Sequence, residues 1–134
     1  MPAKPRVFDS WALLAFVQDE PGAPKVEALL AEASEQGLPA LVSVVNLGEV
    51  WYTTARTRGD SQANATVDAL LSLGLVVVPA DWELAQQAAR FKARHKLAFG
   101  DCFAAALAKQ RDIEVVTGDP EFRQLSREVR ILWL

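Results

Sequence analysis

The chain has 134 residues, 51% of them hydrophobic, with 17 acidic against 14 basic side chains and a formal charge of −3. That size suits one domain whose core needs no disulfide, and the single Cys102 excludes an internal one, so a reducing, cytoplasmic setting is expected. The acidic balance excludes a protein that grips nucleic acid through a broad basic face; any nucleic-acid chemistry here needs cations from elsewhere, and a bound metal is one source.

From the N-terminus, the first six residues are short and charged, and the apolar run that follows is broken by Asp9, so no targeting segment is expected. No apolar run approaches the roughly 18 residues of a membrane span. Arg6-Val7-Phe8 reads as a strand ending at Asp9-Ser10, followed by one or two helical turns over residues 11–16. Residues 18–25, with Pro21, Gly22 and Pro24, form a connection. Apolar residues at 26, 29, 30 and 33 give a helix over 26–36 that Gly37 and Pro39 stop. Residues 40–42 form a second strand, and Ser43 caps a helix running to about Arg58. A turn at residues 58–61 starts another helix reaching about Leu73.

Gly74 opens Leu75-Val76-Val77-Val78, an unbroken apolar run expected to be buried on both faces of a sheet. Asp81 caps a helix with Leu84, Ala88 and Phe91 inward; residues 101–111 make a helix apolar nearly all round, with Cys102 a small buried hydrophobe within it. Residues 114–117 form a strand, Asp119-Pro120-Glu121 opens a short helix, and residues 130–134 close as a last strand. Strands alternating with helices predict an α/β fold, a single domain over residues 1–134 with a central parallel sheet of four to five strands covered by helices on both faces.

Ligands of open parallel sheets bind beyond the carboxyl ends of the strands. Asp9 ends the first strand, Asp119 lies just past the strand ending at Thr117, and Glu49 sits in the helix after the second strand. Asp101 opens an interior helix, which brings an acid near the sheet. Each has a plainer explanation. Asp9 and Asp101 suit helix caps, and Asp119 followed by Pro120 is a very good one. Glu49 fits a capping role least, and Gly48 beside it, costing about 1 kcal/mol inside a helix, suggests a close approach by another element. Capping and ligation are compatible, because a carboxylate has lone pairs for both. Four acids close together repel one another unless a divalent cation joins them. An all-oxygen set favours Mg²⁺ or Mn²⁺ over zinc, and such an ion suits phosphodiester hydrolysis by activating water and neutralising charge.

The runs Val7-Phe8-Asp9-Ser10-Trp11-Ala12-Leu13-Leu14, Asn46-Leu47-Gly48-Glu49-Val50, Leu97-Ala98-Phe99-Gly100-Asp101-Cys102-Phe103-Ala104 and Val116-Thr117-Gly118-Asp119-Pro120-Glu121-Phe122 together resemble the PIN-domain family, and more narrowly the VapC-type toxins of type II toxin–antitoxin pairs. The resemblance spans nearly the whole chain. It implies a Mg²⁺- or Mn²⁺-dependent endoribonuclease whose acidic quartet is Asp9, Glu49, Asp101 and Asp119, with Ser10 and Thr117 as supporting hydroxyls. It also implies an RNA substrate, a cognate antitoxin and often a homodimer. No position of the quartet is missing, which argues against a non-cutting member.

Other residues carry weaker signals. His95, the only histidine, lies in a basic helix tail with Arg90, Lys92, Arg94 and Lys96, where a solvated surface role is the ordinary one. The same holds for Arg56 and Arg58, although either cluster suits RNA phosphates. Most of Trp11, Trp51, Tyr52 and Trp82 are expected in the core, with one or two lining an antitoxin groove. A receiver-like signalling domain shares an acidic pocket on a small α/β fold, but it wants paired acids at the first strand, whereas Asp9 stands alone, and an aspartate ending the third, which here ends in Val78-Pro79. A non-catalytic PIN-fold module acting only through protein contacts is the remaining alternative.

Overall fold

The computed structural model describes residues 3–134, so Met1 and Pro2, the start of the charged N-terminal segment and of the expected domain span, lie outside the described residues. Strands β1 (Arg6–Phe8), β2 (Ala40–Ser43), β3 (Leu75–Val78), β4 (Val115–Thr117) and β5 (Ile131–Trp133) form one sheet in the order β3-β2-β1-β4-β5. Every neighbouring pair is parallel. The helices are α1 (Ser10–Val17), α2 (Ala23–Glu35), α3 (Val44–Arg58), α4 (Asp60–Ser72), α5 (Trp82–Arg94) and α6 (Phe99–Arg111), with a 3₁₀ helix at Pro120–Leu125. None is long and apolar enough to cross a membrane.

Alternation along each strand builds two cores. Val7, Leu41 and Val115 point to one face, where Leu84, Ala88 and Phe91 of α5 and the buried Cys102–Ala108 run of α6 cover them. Phe8, Val42 and Val116 point to the other, against Ala12, Leu13, Val26, Leu30, Val50 and Leu70 of α1 to α4. The four alanines of α6 from Ala104 to Ala108, interrupted by Leu107, are wholly buried, and their small side chains let this helix sit deep in its layer. Sequence order runs outward from β1 through β2 to β3 and then returns to β4 on the other side of β1. That reversal, with Phe8 paired to Val116, is where a doubly wound sheet opens a crevice.

The expected single α/β domain with a parallel sheet covered on both faces is what the chain forms, but four details differ. Helix α2 starts at Ala23, inside the expected connection, because the fixed φ of Pro24 suits a first helical turn. Helix α6 starts at Phe99 rather than at Asp101. β3 is an edge strand with Val76 45% exposed, not a strand buried on both faces. Its β-branched run reflects strand preference, which an edge position shares. None of the four large aromatics is in the core: Trp11, Tyr52 and Trp82 are 45%, 43% and 73% exposed, and Trp51 is half-buried with its indole N–H donating to Asn64 Oδ1 at 2.9 Å. Trp11 and Trp82 occupy the first two positions of their helices, at the ends of the layers, and Phe8, Phe91 and Phe122 fill the interior instead.

Candidate active site

Asp9 leaves β1 directly into α1. Its Oδ1 accepts the Ala12 N–H at 2.8 Å and caps that helix. The residue is entirely buried, and Oδ2 has no hydrogen-bond partner among the described residues. Burial pushes its pKa from 3.8 up to about 7; the Thr117 hydroxyl and the Ala12 N–H pull it down, and the charges of Asp101 and Asp119 push it further up. The side chain therefore caps a helix with one oxygen, while its other, buried oxygen lacks a well-formed hydrogen bond although the Thr117 hydroxyl lies near.

Asp101 stands in the first turn of α6, two residues inside a helix whose N-cap is Ala98, so it caps nothing. Its pKa is also raised from 3.8 to about 7, first by burial and then by the charges of Asp119, Glu49 and Glu121. Asp119 caps the 3₁₀ helix through the Glu121 N–H at 2.9 Å, while its own N–H donates to the buried Thr117 hydroxyl at 3.0 Å. Carboxylate oxygens of Asp101, Asp119 and Glu121 lie within 4.8 Å of one another.

Glu49 reaches the group from α3. Asn46, one turn earlier and wholly buried, donates from Nδ2 both to Glu49 Oε1 at 2.7 Å and to the Gly100 carbonyl at 2.9 Å. One amide thus orients the carboxylate and ties α3 to the first turn of α6. A Cβ on Gly100 would overlap the Glu49 carboxylate, so the close approach occurs at Gly100. At Gly48, where the sequence suggested it, a Cβ meets nothing within 4 Å.

Of the four predicted acids, Asp101 and Asp119 come together, with Glu121, whereas Asp9 and Glu49 stand outside that close group: Asp9 feels the charges of Asp101 and Asp119, and Asp101 feels that of Glu49. Glu121 and Asn46 are additional members. Glu121 was legible as an acid two residues past Asp119, and Asn46 as a polar residue one helical turn before Glu49. Ser10 opens α1 and its hydroxyl makes no hydrogen bond among the described residues, whereas Thr117 supports Asp119. His95 pairs with Glu128 at 3.0 Å rather than with any of these acids. Arg56 lies over the Tyr52 ring at 4.7 Å, and Lys92 donates to the Leu97 carbonyl at 2.6 Å. The donor set suits a hard divalent cation, since the donors are all oxygen, and such an ion would give the buried Asp9 Oδ2 a partner.

The chain matches the family model of the PIN domain over residues 6–128. Among solved structures it shares its fold with a chain of VapBC2 from Rickettsia felis bound to a promoter DNA fragment (TM-score 0.78, 13% identity, covering 95% of this chain and 96% of that one). DNA-bound VapBC from Salmonella typhimurium gives a TM-score of 0.78 at 20% identity over 97% and 98% of the two chains. VapC20 from Mycobacterium tuberculosis, a toxin that cleaves the sarcin–ricin loop, gives 0.73 at 21% identity over 89% and 93%. At these identities the likeness is one of fold. No curated protein sequence matches the chain significantly.

Two outcomes follow from this geometry. The raised pKa values of Asp9 and Asp101 mean that the folded chain binds protons which the unfolded chain, titrating near 3.8, does not. Metal-free protein is therefore expected to gain stability as pH falls from about 8 to about 5.5, its Tm rising by about 5 °C or more. Asp9→Asn should raise Tm at pH 8 and shrink that rise; thermal melts across pH check both, and a Tm that falls or stays level on mild acidification contradicts the assignment. Gly100→Ala, in a helical backbone that any residue adopts, should displace Glu49 and weaken Mn²⁺ binding about tenfold or more with the fold retained, as measured by calorimetry.

Proposed function

We propose that this chain, which belongs to the PIN-domain family, is a Mg²⁺- or Mn²⁺-dependent endoribonuclease that hydrolyses RNA phosphodiester bonds. We read it as the toxin of a toxin–antitoxin pair, working in the cytoplasm as a homodimer and held inactive by a cognate antitoxin. The observation that supports the nuclease reading is the fully buried Asp9 carboxylate, with one oxygen on the Ala12 N–H and the other without a well-formed hydrogen bond, its pKa raised first by burial and then by the charges of Asp101 and Asp119. A scaffold working through protein contacts alone has no use for that costly arrangement. The toxin reading draws on the fold shared with VapBC proteins, and the choice of RNA draws on the sarcin–ricin loop cleavage by VapC20.

Asp9, Glu49, Asp101 and Asp119 are the residues that would hold the cation, with Glu121 at the rim. When bound, the cation supplies an activated water and offsets charge on the phosphate and the leaving oxygen. The chain's own groups set the conditions. Burial raises the pKa of Asp9 and Asp101 to about 7, so both would have to lose their protons to hold a cation, and protons would compete with it below neutrality. Asn46 holds the Glu49 carboxylate in one orientation, and Gly100 leaves room for it. Thr117 fixes the backbone of Asp119, whose side chain is already committed on one oxygen to the Glu121 N–H. Sharing of the Asp9 and Asp119 carboxylates between a cap and the site pre-sets their direction, which removes the entropy of orienting them during the reaction.

Purified protein with Mg²⁺ or Mn²⁺ is expected to cut single-stranded RNA internally. Asp9→Asn and Asp101→Asn should each lower the rate at least about a hundredfold without lowering Tm. Gel analysis of labelled RNA with and without chelator checks this. Cleavage that persists in excess chelator and in both variants rejects the assignment.

A further inference from the structure

With three more acidic than basic side chains, the chain holds a polyanion poorly through charge alone, and the exposed groups flanking the acids are aromatic. Trp11 follows Asp9 by two residues and is 45% exposed. Its indole is fixed by Gly118, the residue just before Asp119: a Cβ there would overlap Nε1 and approach Cδ1 at 3.0 Å and Cε2 at 3.3 Å. Nε1 is nearest and its two bonded carbons lie farther out, so Gly118 packs obliquely against the pyrrole corner of the ring and leaves the ring's other face clear of that contact. Phe99 opens α6, one residue before Gly100 and two before Asp101, and is 46% exposed. Phe103 holds it edge-to-face with ring centroids 5.0 Å apart. The two rings belong to opposite layers, Trp11 to α1 in the layer of α1 to α4 and Phe99 to α6 in that of α5 and α6.

We propose that Trp11 and Phe99 are the base-stacking platforms of this site, each receiving one nucleobase next to the phosphodiester held at the acids. The proposal rests on the ribonuclease reading of those acids. Stacking uses the uncharged face of a base, so a net-negative protein gains affinity from it without a cationic surface. A paired base has its faces occupied by the helix and cannot reach either ring, so the RNA enters with unpaired bases at the cut. Contact with Gly118 and with Phe103 restrains the two rings beforehand, which limits the entropy lost when a base lands on them.

The test uses the full chain and a short unstructured single-stranded RNA, with affinity read by fluorescence anisotropy in chelator so that nothing is cut. A matched oligomer lacking its two central bases serves as the control probe. Trp11→Ala and Phe99→Ala are each expected to weaken binding of the intact oligomer about tenfold and to leave the abasic oligomer unaffected. Trp11→Phe should stay within about threefold of the parent, and Mn²⁺ affinity should be the same in all forms, which shows that the acids and the fold are undisturbed. With Mn²⁺ present, the alanine variants should raise KM more than they lower kcat. Parent-like affinity and KM in both alanine variants of a protein that does cleave RNA overturns the platforms and leaves the nuclease standing. An equal loss on the abasic probe also overturns them. A parent that neither binds nor cuts RNA with Mn²⁺ overturns the nuclease reading and the platforms together.

Discussion

Burying a carboxylate costs several kcal/mol unless something takes up its charge, and the end of β1 buries one beside two others. Asp9 partly meets this cost by accepting the Ala12 N–H and partly by holding a proton near neutrality. What is left is an oxygen with no well-formed hydrogen bond among the described residues. The surrounding structure keeps that imbalance in place. β1 is central in the sheet, so Asp9 cannot turn outward to water, and β4 beside it delivers Asp119 to the same end. The two layers behind these strands, each a closed apolar core, supply the stability against which such a site is maintained.

The amide of Asn46 plays a part out of proportion to its size. The quartet comes from four separate elements: Asp9 and Asp119 lie just past strand ends and are oriented by the helices they cap, and Asp101 sits in the first turn of α6. Glu49 is on the open flank of a long helix and has only Asn46 to direct it. Because the same Nδ2 group also bonds the Gly100 carbonyl, the position of Glu49 depends on how α3 meets α6. Gly100 completes this joint, since a side chain there would occupy the volume of the carboxylate.

Much of this was legible in the amino-acid sequence. Periodicity located every strand and helix to within a few residues, and the rule that ligands gather beyond the carboxyl ends of parallel strands singled out Asp9 and Asp119 before any coordinates. What escaped was set by non-local packing. Gly48 and Gly100 look alike in sequence, and only the approach of α6 to α3 tells which one makes room. An apolar run such as Leu75-Val76-Val77-Val78 is the same at the centre of a sheet and at its edge. Large aromatics were assigned to the core by hydrophobicity, but a ring at the first position of a helix sits at the end of a layer, where little covers it. Glu121 stood in plain view two residues past Asp119, but its place within reach of Asp119 and Asp101 depends on the 3₁₀ turn that follows Asp119.

The placement of β3 on the rim has its own consequence for how the protein keeps to itself. Its outer side presents main-chain donors and acceptors that no neighbour uses, next to the exposed Val76. The strand is four residues long, so an intruding segment would gain only about two main-chain bonds there, too few to repay the freedom it loses on straightening. β5 at the opposite rim is shorter still, at three residues. Brevity is what guards both margins against aggregation.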